Sequence, residues 1–211
     1  MRGATPEDLR GRHWARNLVL AIGVLLLSGV VARTTSTLID VWYPDRPKPP
    51  DLLFDILPYA AWPQYLTDIA LLAALGLLVF YALDGRTREI PKMVALFGIM
   101  ELLRAGINLL TPLAGPLGNG AYYGLIHTVQ NGEFPSGHTA SVFLCFLLVD
   151  RQAAPRIRLA LAVCLVVEVA ALLVSHGHYS IDIVGGLLLS YFVYYWFGPR
   201  VFPEGAVQRP S

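Results

Sequence analysis

Two short polar stretches interrupt an otherwise apolar chain, and both carry residues able to do acid–base or nucleophilic chemistry. The first is Phe134-Pro135-Ser136-Gly137-His138-Thr139, and the second is Ser175-His176-Gly177-His178-Tyr179-Ser180-Ile181-Asp182. Serine is a favoured N-cap, and glycine lets another group approach the backbone closely, so Ser136-Gly137 suits a helix start. The first turn of such a helix offers unpaired N–H groups, an anion site for phosphate, with His138 inside it. His178 and Asp182 are four residues apart and share a face if helical. A carboxylate holding one imidazole nitrogen fixes the tautomer and leaves the other nitrogen free to attack or to take a proton. One histidine can then act as nucleophile while the other protonates a leaving oxygen.

Other chemistry fits some of these residues. A His-x-x-x-Asp pair also serves as a capping or packing contact, and two histidines with an aspartate form a ligand set for zinc or non-haem iron. The helix N-terminus and glycine suit an anion better than a cation, which ranks phosphoryl chemistry above metal binding. Arg104 is the candidate phosphate-binding cation. A guanidinium inside an apolar run is costly without an anionic partner, which is either substrate phosphate or Glu101 three residues earlier. Glu133 shortly precedes the first stretch and is placed to assist a histidine or the substrate. Asp68 and Glu168 read as polar contacts between helices. His176 reads as a solvent-facing cap rather than a third imidazole of the site, and His13 and His127 carry no signal.

The elements that must position these groups are membrane helices. Of the 211 residues, 55% are hydrophobic and only 15% charged, against about 25% charged in soluble domains. A net charge of +1 gives no field for recruiting nucleic acid. Cys145 and Cys164 lie within apolar runs and read as small packing residues. Six runs approach the roughly 20 residues needed to cross a bilayer: Asn17–Ser36, Gln64–Leu83, Met93–Thr111, Ser136–Asp150, Arg158–Ser175 and Tyr179–Phe197. The first follows Arg2, Arg10, Arg12 and Arg16, and with no small-residue cleavage site after it reads as an anchor rather than a signal peptide. The fourth reaches only about 22 Å as a helix, so its polar start should lie below the membrane surface.

Basic residues orient the bundle. They precede the first span, sit between the second and third (Arg86, Arg88, Lys92) and between the fourth and fifth (Arg151, Arg156, Arg158), and follow the sixth (Arg200). Alternate connections are therefore expected to be cytoplasmic, together with both termini. Arg33, Arg46 and Lys48 are the exception, among Asp40, Asp45, Asp51 and Asp55. The stretch from Gly115 to Pro135 has no Lys or Arg and falls on the opposite face, where both polar motifs meet. The proline- and aromatic-rich Trp42–Pro63 predicts a stiff interfacial segment, without regular helix, over the bundle mouth. The expected fold is an all-α, multi-pass membrane bundle of six transmembrane helices. It forms one domain over 17–198, flanked by cytoplasmic segments 1–16 and 199–211.

At Pro135-Ser136-Gly137-His138 and His178-Tyr179-Ser180-Ile181-Asp182 the chain resembles the phosphatidic acid phosphatase type 2 (PAP2) superfamily, and within it the sphingomyelin synthase branch. That branch pairs Ser-Gly-His-Thr with a later His-Tyr-Thr-x-Asp, Ser180 standing for the threonine. Pro50-Asp51-Leu52-Leu53-Phe54-Asp55 is similar to its first exoplasmic loop, and Phe97-Gly98-Ile99 through Leu103-Arg104 to its arginine-bearing third span. The resemblance implies phosphohistidine chemistry without metal or other cofactor. His178 would attack phosphorus, Asp182 would orient it, and His138 would protonate the departing alcohol. Arg104, Ser136, Gly137 and Glu133 would attend the phosphate. The superfamily's phosphatase motif, a Lys followed after six residues by Arg-Pro, is absent. That departure favours transfer of a phosphodiester headgroup, such as phosphocholine, from a phospholipid to a lipid alcohol. Glu133 stands where the synthase pattern has Asp, one residue nearer the serine, and Pro135 before Ser136 is phosphatase-like. A lipid phosphatase of the same superfamily is the alternative, and a non-enzymatic membrane binding or transport protein is a further one.

Overall fold

The computed structural model describes residues 6–117 and 133–202. Most of the basic-free connection, His127 and parts of the 1–16 and 199–211 segments lie outside them. The regular structure of the described residues is helical, with no strand among them. Their helices are α1 (Pro6–Trp42), α2 (Leu52–Ile56), α3 (Gln64–Leu83), α4 (Ile90–Leu110), α5 (Gly137–Leu148), α6 (Pro155–Val174) and α7 (Ser180–Phe192). A 3₁₀ turn at Thr87–Glu89 leads into α4, and a π-helical turn at Val193–Phe197 continues α7.

Among the described residues, five helical segments are long and apolar enough to cross a membrane: His13–Trp42, Gln64–Leu83, Thr87–Leu110, Pro155–Val174 and Ser180–Phe197. The expected fourth span is the apolar helix α5, whose 12 residues rise only about 18 Å. That is well short of the roughly 30 Å hydrocarbon core. The hydropathy reading therefore places α3, α4, α6 and α7 well but stops α1 too early. Thr34 and Thr37 donate their hydroxyls to Val30 O (2.9 Å) and Arg33 O (3.1 Å), so polar residues continue the helix to Trp42 instead of ending it. The segment expected to lack regular helix also contains α2. Asp51 caps it by accepting from Leu53 N at 2.9 Å.

α1 packs along α4, crossing so closely that a Cβ on Gly98 would meet Leu25 N at 2.9 Å. Small residues at such crossings are how membrane helices gain contact without a hydrophobic drive between them. α3, α5 and α6 enclose one apolar cluster around Val142, Cys145 and Leu161, and α4, α5 and α7 another around Leu96, Met100 and Leu144. α5 is thus the central helix. Its contact with α7 depends on Gly186, where a Cβ would meet Ser136 O at 2.7 Å. Outward faces of α1, α3 and α6 expose Leu20, Leu26, Leu72, Phe80 and Val166, as lipid-facing helices do.

The connections gather at two ends. At one, Ala114 N donates to Pro47 O and Ala60 N to Val174 O. At the other, Trp14 Nε1 donates to Thr87 O and Asp150 N to Tyr81 Oη. Both polar motifs belong to the first end, and the connections carrying Arg86, Arg88, Arg151 and Arg156 to the second.

Candidate active site

The first motif starts α5 as its residue types predict. Ser136 is the N-cap, with extended backbone and a side chain accepting from Thr139 N at 3.4 Å. The second motif behaves differently from the shared-helix expectation. His178 lies in the extended turn before α7, and only Asp182 is helical, in its first turn. Asp182 Oδ2 nevertheless accepts from Tyr179 N (3.0 Å) and meets His178 Nδ1 at 3.2 Å. One carboxylate oxygen therefore caps the helix and orients the imidazole together, leaving His178 Nε2 as the nitrogen available for chemistry. The motifs are joined directly, Ser136 N–H donating to Asp182 O at 3.0 Å.

Each histidine has its own carboxylate. His178 Nδ1 also faces Glu133 Oε2 at 3.2 Å. His138 Nε2 lies 3.2 Å from Asp68 Oδ1, and Asp68, like Asp182, is 0% exposed. Burial works to lower the pKa of His178, but the Asp182 hydrogen bond and the charges of Glu133 and Asp182 outweigh it and raise the pKa above the ordinary 6.5. Burial raises that of Glu133, which makes this carboxyl easier to protonate than a surface glutamate.

Arg104 is 5% exposed, and of the two anionic partners weighed for it from the sequence the described residues show Glu101. Its Nε donates to Glu101 Oε2 at 2.9 Å, and its guanidinium lies against Gly137, where a Cβ would come within 3.2 Å of Cζ. A cation thus sits at the first turn of α5, and any side chain in place of Gly137 would crowd it. Asn108, one turn further along α4, accepts from Arg104 Nη1 (3.2 Å) and donates to Phe134 O once its amide faces the partners that satisfy it.

Two sequence expectations need correction. Asp68 makes the polar contact between helices expected of it, from α3 to His138 at the start of α5. Glu168 does not, since both its carboxylate oxygens are buried without a hydrogen-bond partner among the described residues. His176 is only partly exposed rather than solvent-facing. Its ring stacks on Phe54 with centroids 4.0 Å apart and meets Tyr59 at 5.1 Å. Its positive φ of 49° lies in the left-handed region, where it ends α6 as a glycine would. Asp51 was read as one of an acidic group and within the loop resemblance but with no role of its own, yet its second carboxylate oxygen accepts from Ser180 N and ties α2 to the start of α7. Asn108 carried one signal in the sequence: an amide four residues from Arg104 on an apolar helix shares its face.

Glu133, His178 and Asp182 also bring three donor atoms within 4.8 Å of one another, a grouping able to hold a metal ion. A search for curated relatives returns no match to the chain. Residues 134–199, the stretch carrying His138, His178 and Asp182, match the family described as PAP2 superfamily C-terminal, and this supports membership of the PAP2 superfamily and an enzyme of the lipid phosphatase or phosphotransferase type.

Proposed function

We propose that this protein is a membrane phospholipid headgroup transferase, similar to sphingomyelin synthases, working through a phosphohistidine. The observation carrying the reading is that two histidines on joined motifs are each held by a separate buried carboxylate. In the first half-reaction His178 Nε2 attacks the phosphorus of a phospholipid. The P–O bond to the diacylglycerol oxygen breaks, and His138 gives that oxygen its proton. In the second, a lipid alcohol attacks the phosphohistidine, His138 takes the hydroxyl proton, and the P–N bond breaks to restore His178. Arg104 and the N–H groups opening α5 hold the phosphate oxygens near Ser136 and Gly137.

Charge balance favours a diester substrate. Glu101 offsets Arg104 at 2.9 Å, and Asp40 offsets the buried Arg46 at 3.1 Å. Offset cations suit the single charge of a phosphodiester better than the two charges of a monoester. The lipid phosphatase reading rests on Pro135 before Ser136 and on the family match. In topology, α5 with its extended flanks makes a sixth crossing, both termini are cytoplasmic, and the site opens to the non-cytoplasmic face. The grouping of basic connections at the opposite end supports this orientation.

The test is conversion of a fluorescent ceramide or diacylglycerol by purified protein in liposomes of phosphatidylcholine, run beside phosphatidic acid and with a chelator arm. A new headgroup-bearing lipid, made only when the alcohol is present and insensitive to chelator, is expected. Inorganic phosphate released from phosphatidic acid without an acceptor would move the chain to the phosphatases. Loss with chelator, restored by one metal, would replace the metal-free mechanism.

The raised pKa of His178 predicts a pH dependence. The attacking imidazole must be neutral, so activity should fall as pH drops through a value above 6.5. Asp182→Asn removes a negative charge and replaces one acceptor oxygen with an NH₂ donor, so this acidic limb should move to lower pH while the plateau falls. An unshifted limb in a pH–rate profile of Asp182→Asn would show that another group sets it.

A further inference from the structure

A polar cavity of about 330 Å³ opens at the end of the bundle opposite the histidines. It exists because α5 stops short, at Leu148, and the chain turns through Val149 and Asp150 before α6 begins at Pro155. Three cations line it, Arg86 from the α3–α4 connection, Arg151 from the turn and Arg158 from α6, with the hydroxyl-bearing rings of Tyr81, Tyr194 and Tyr195. We propose that this cavity binds a phosphate-bearing anion, the headgroup phosphate of an anionic phospholipid in the adjoining leaflet.

The lining has one more positive than negative group, and its carboxylates are already engaged. Asp150 Oδ1 accepts from Gln152 N and Ala153 N, both at 2.8 Å. Glu89 stands 3.6 Å from Arg86. The carbonyl of Val149 at the C-terminal end of α5, which would repel an anion, is covered by Arg158 Nη1. Arg158 is further held over Phe146 and Arg86 over Tyr81, with guanidinium-to-ring distances of 4.1 and 4.6 Å. Stacking leaves in-plane N–H donors free to point outward, the geometry with which arginine grips phosphate. Neither Arg151 nor Arg158 has a carboxylate within salt-bridge distance among the described residues. The volume is at the lower end of ligand-pocket sizes and admits a phosphate with its glycerol. Basic pockets between membrane helices at a bilayer surface are where acidic headgroups bind.

The test is thermal unfolding of the full chain in neutral detergent, titrated with phosphatidylglycerol, phosphatidylcholine or inorganic phosphate. Wild type should be stabilised saturably by phosphatidylglycerol and not by phosphatidylcholine. The apparent affinity should weaken about tenfold or more in Arg86→Gln/Arg151→Gln. Arg151→Gln alone, an exposed side chain whose loss should not disturb folding, should give a smaller loss of the same kind. Arg200→Gln, at the same end but outside the cavity, should bind as wild type. If inorganic phosphate reproduces the effect and the cavity variants abolish it, the site stands and its source is the free anion. No stabilisation, or equal stabilisation of every variant, would overturn the proposal.

Discussion

Replacing His178 with alanine is expected to reduce turnover on the order of 10⁴-fold or more, because the covalent route disappears rather than merely slowing. The structural ground is specific. His178 Nδ1 is committed to Asp182 and Glu133, each at 3.2 Å, so the ring has one orientation and one free nitrogen. Rapid quench with a headgroup-labelled phospholipid should trap label on wild type under alkaline conditions, where phosphohistidine survives, and lose it on acidification. His178→Ala should trap nothing. Retention of acid-labile label in that variant would show that the nucleophile lies elsewhere, and acid-stable label would point to a serine or an aspartate.

His138→Ala should behave differently, and the contrast separates the two imidazoles. Loss of a general acid costs typically 10²–10⁴-fold when the leaving group is an alkoxide. That loss should largely vanish with p-nitrophenyl phosphorylcholine, whose phenolate departs without a proton, while deacylated lipid alcohols still accept poorly for want of a base. Label should still accumulate on His178 with the activated substrate. Equal impairment with both leaving groups would mean that His138 binds phosphate rather than moving protons. Asp68 enters this argument as the residue that turns His138, through contact with Nε2.

The sequence carried the helices and the His178–Asp182 pair better than it carried the partner of His138. Hydropathy finds α3 to the residue and α4 and α6 within three, because a lipid-facing helix must be apolar along its whole length. His178 and Asp182 are local neighbours, so four-residue spacing suffices to pair them. Asp68 lies 70 residues from His138, and no periodicity tells which membrane-buried acid will face which histidine. The continuation of α1 past Ser36 was hidden for a related reason, since serine and threonine look polar in a window but bond to their own helix. Gly137 was read as room for an anion. The structure adds that the room is shared with Arg104, a contact between helices that spacing does not encode.

Gly186 has a consequence for where entropy is spent. With no side chain there, α7 lies directly against the Ser136 carbonyl, and Ser136 N–H reaches Asp182 O. The two motifs are therefore joined when the chain folds, before any lipid arrives. On the reading proposed above, an encounter with substrate needs only to align the phosphate, because the translational and rotational freedom of one motif relative to the other is already gone. The same coupling means that a distortion at either motif is transmitted to the other, so the two motifs make one candidate site and not two.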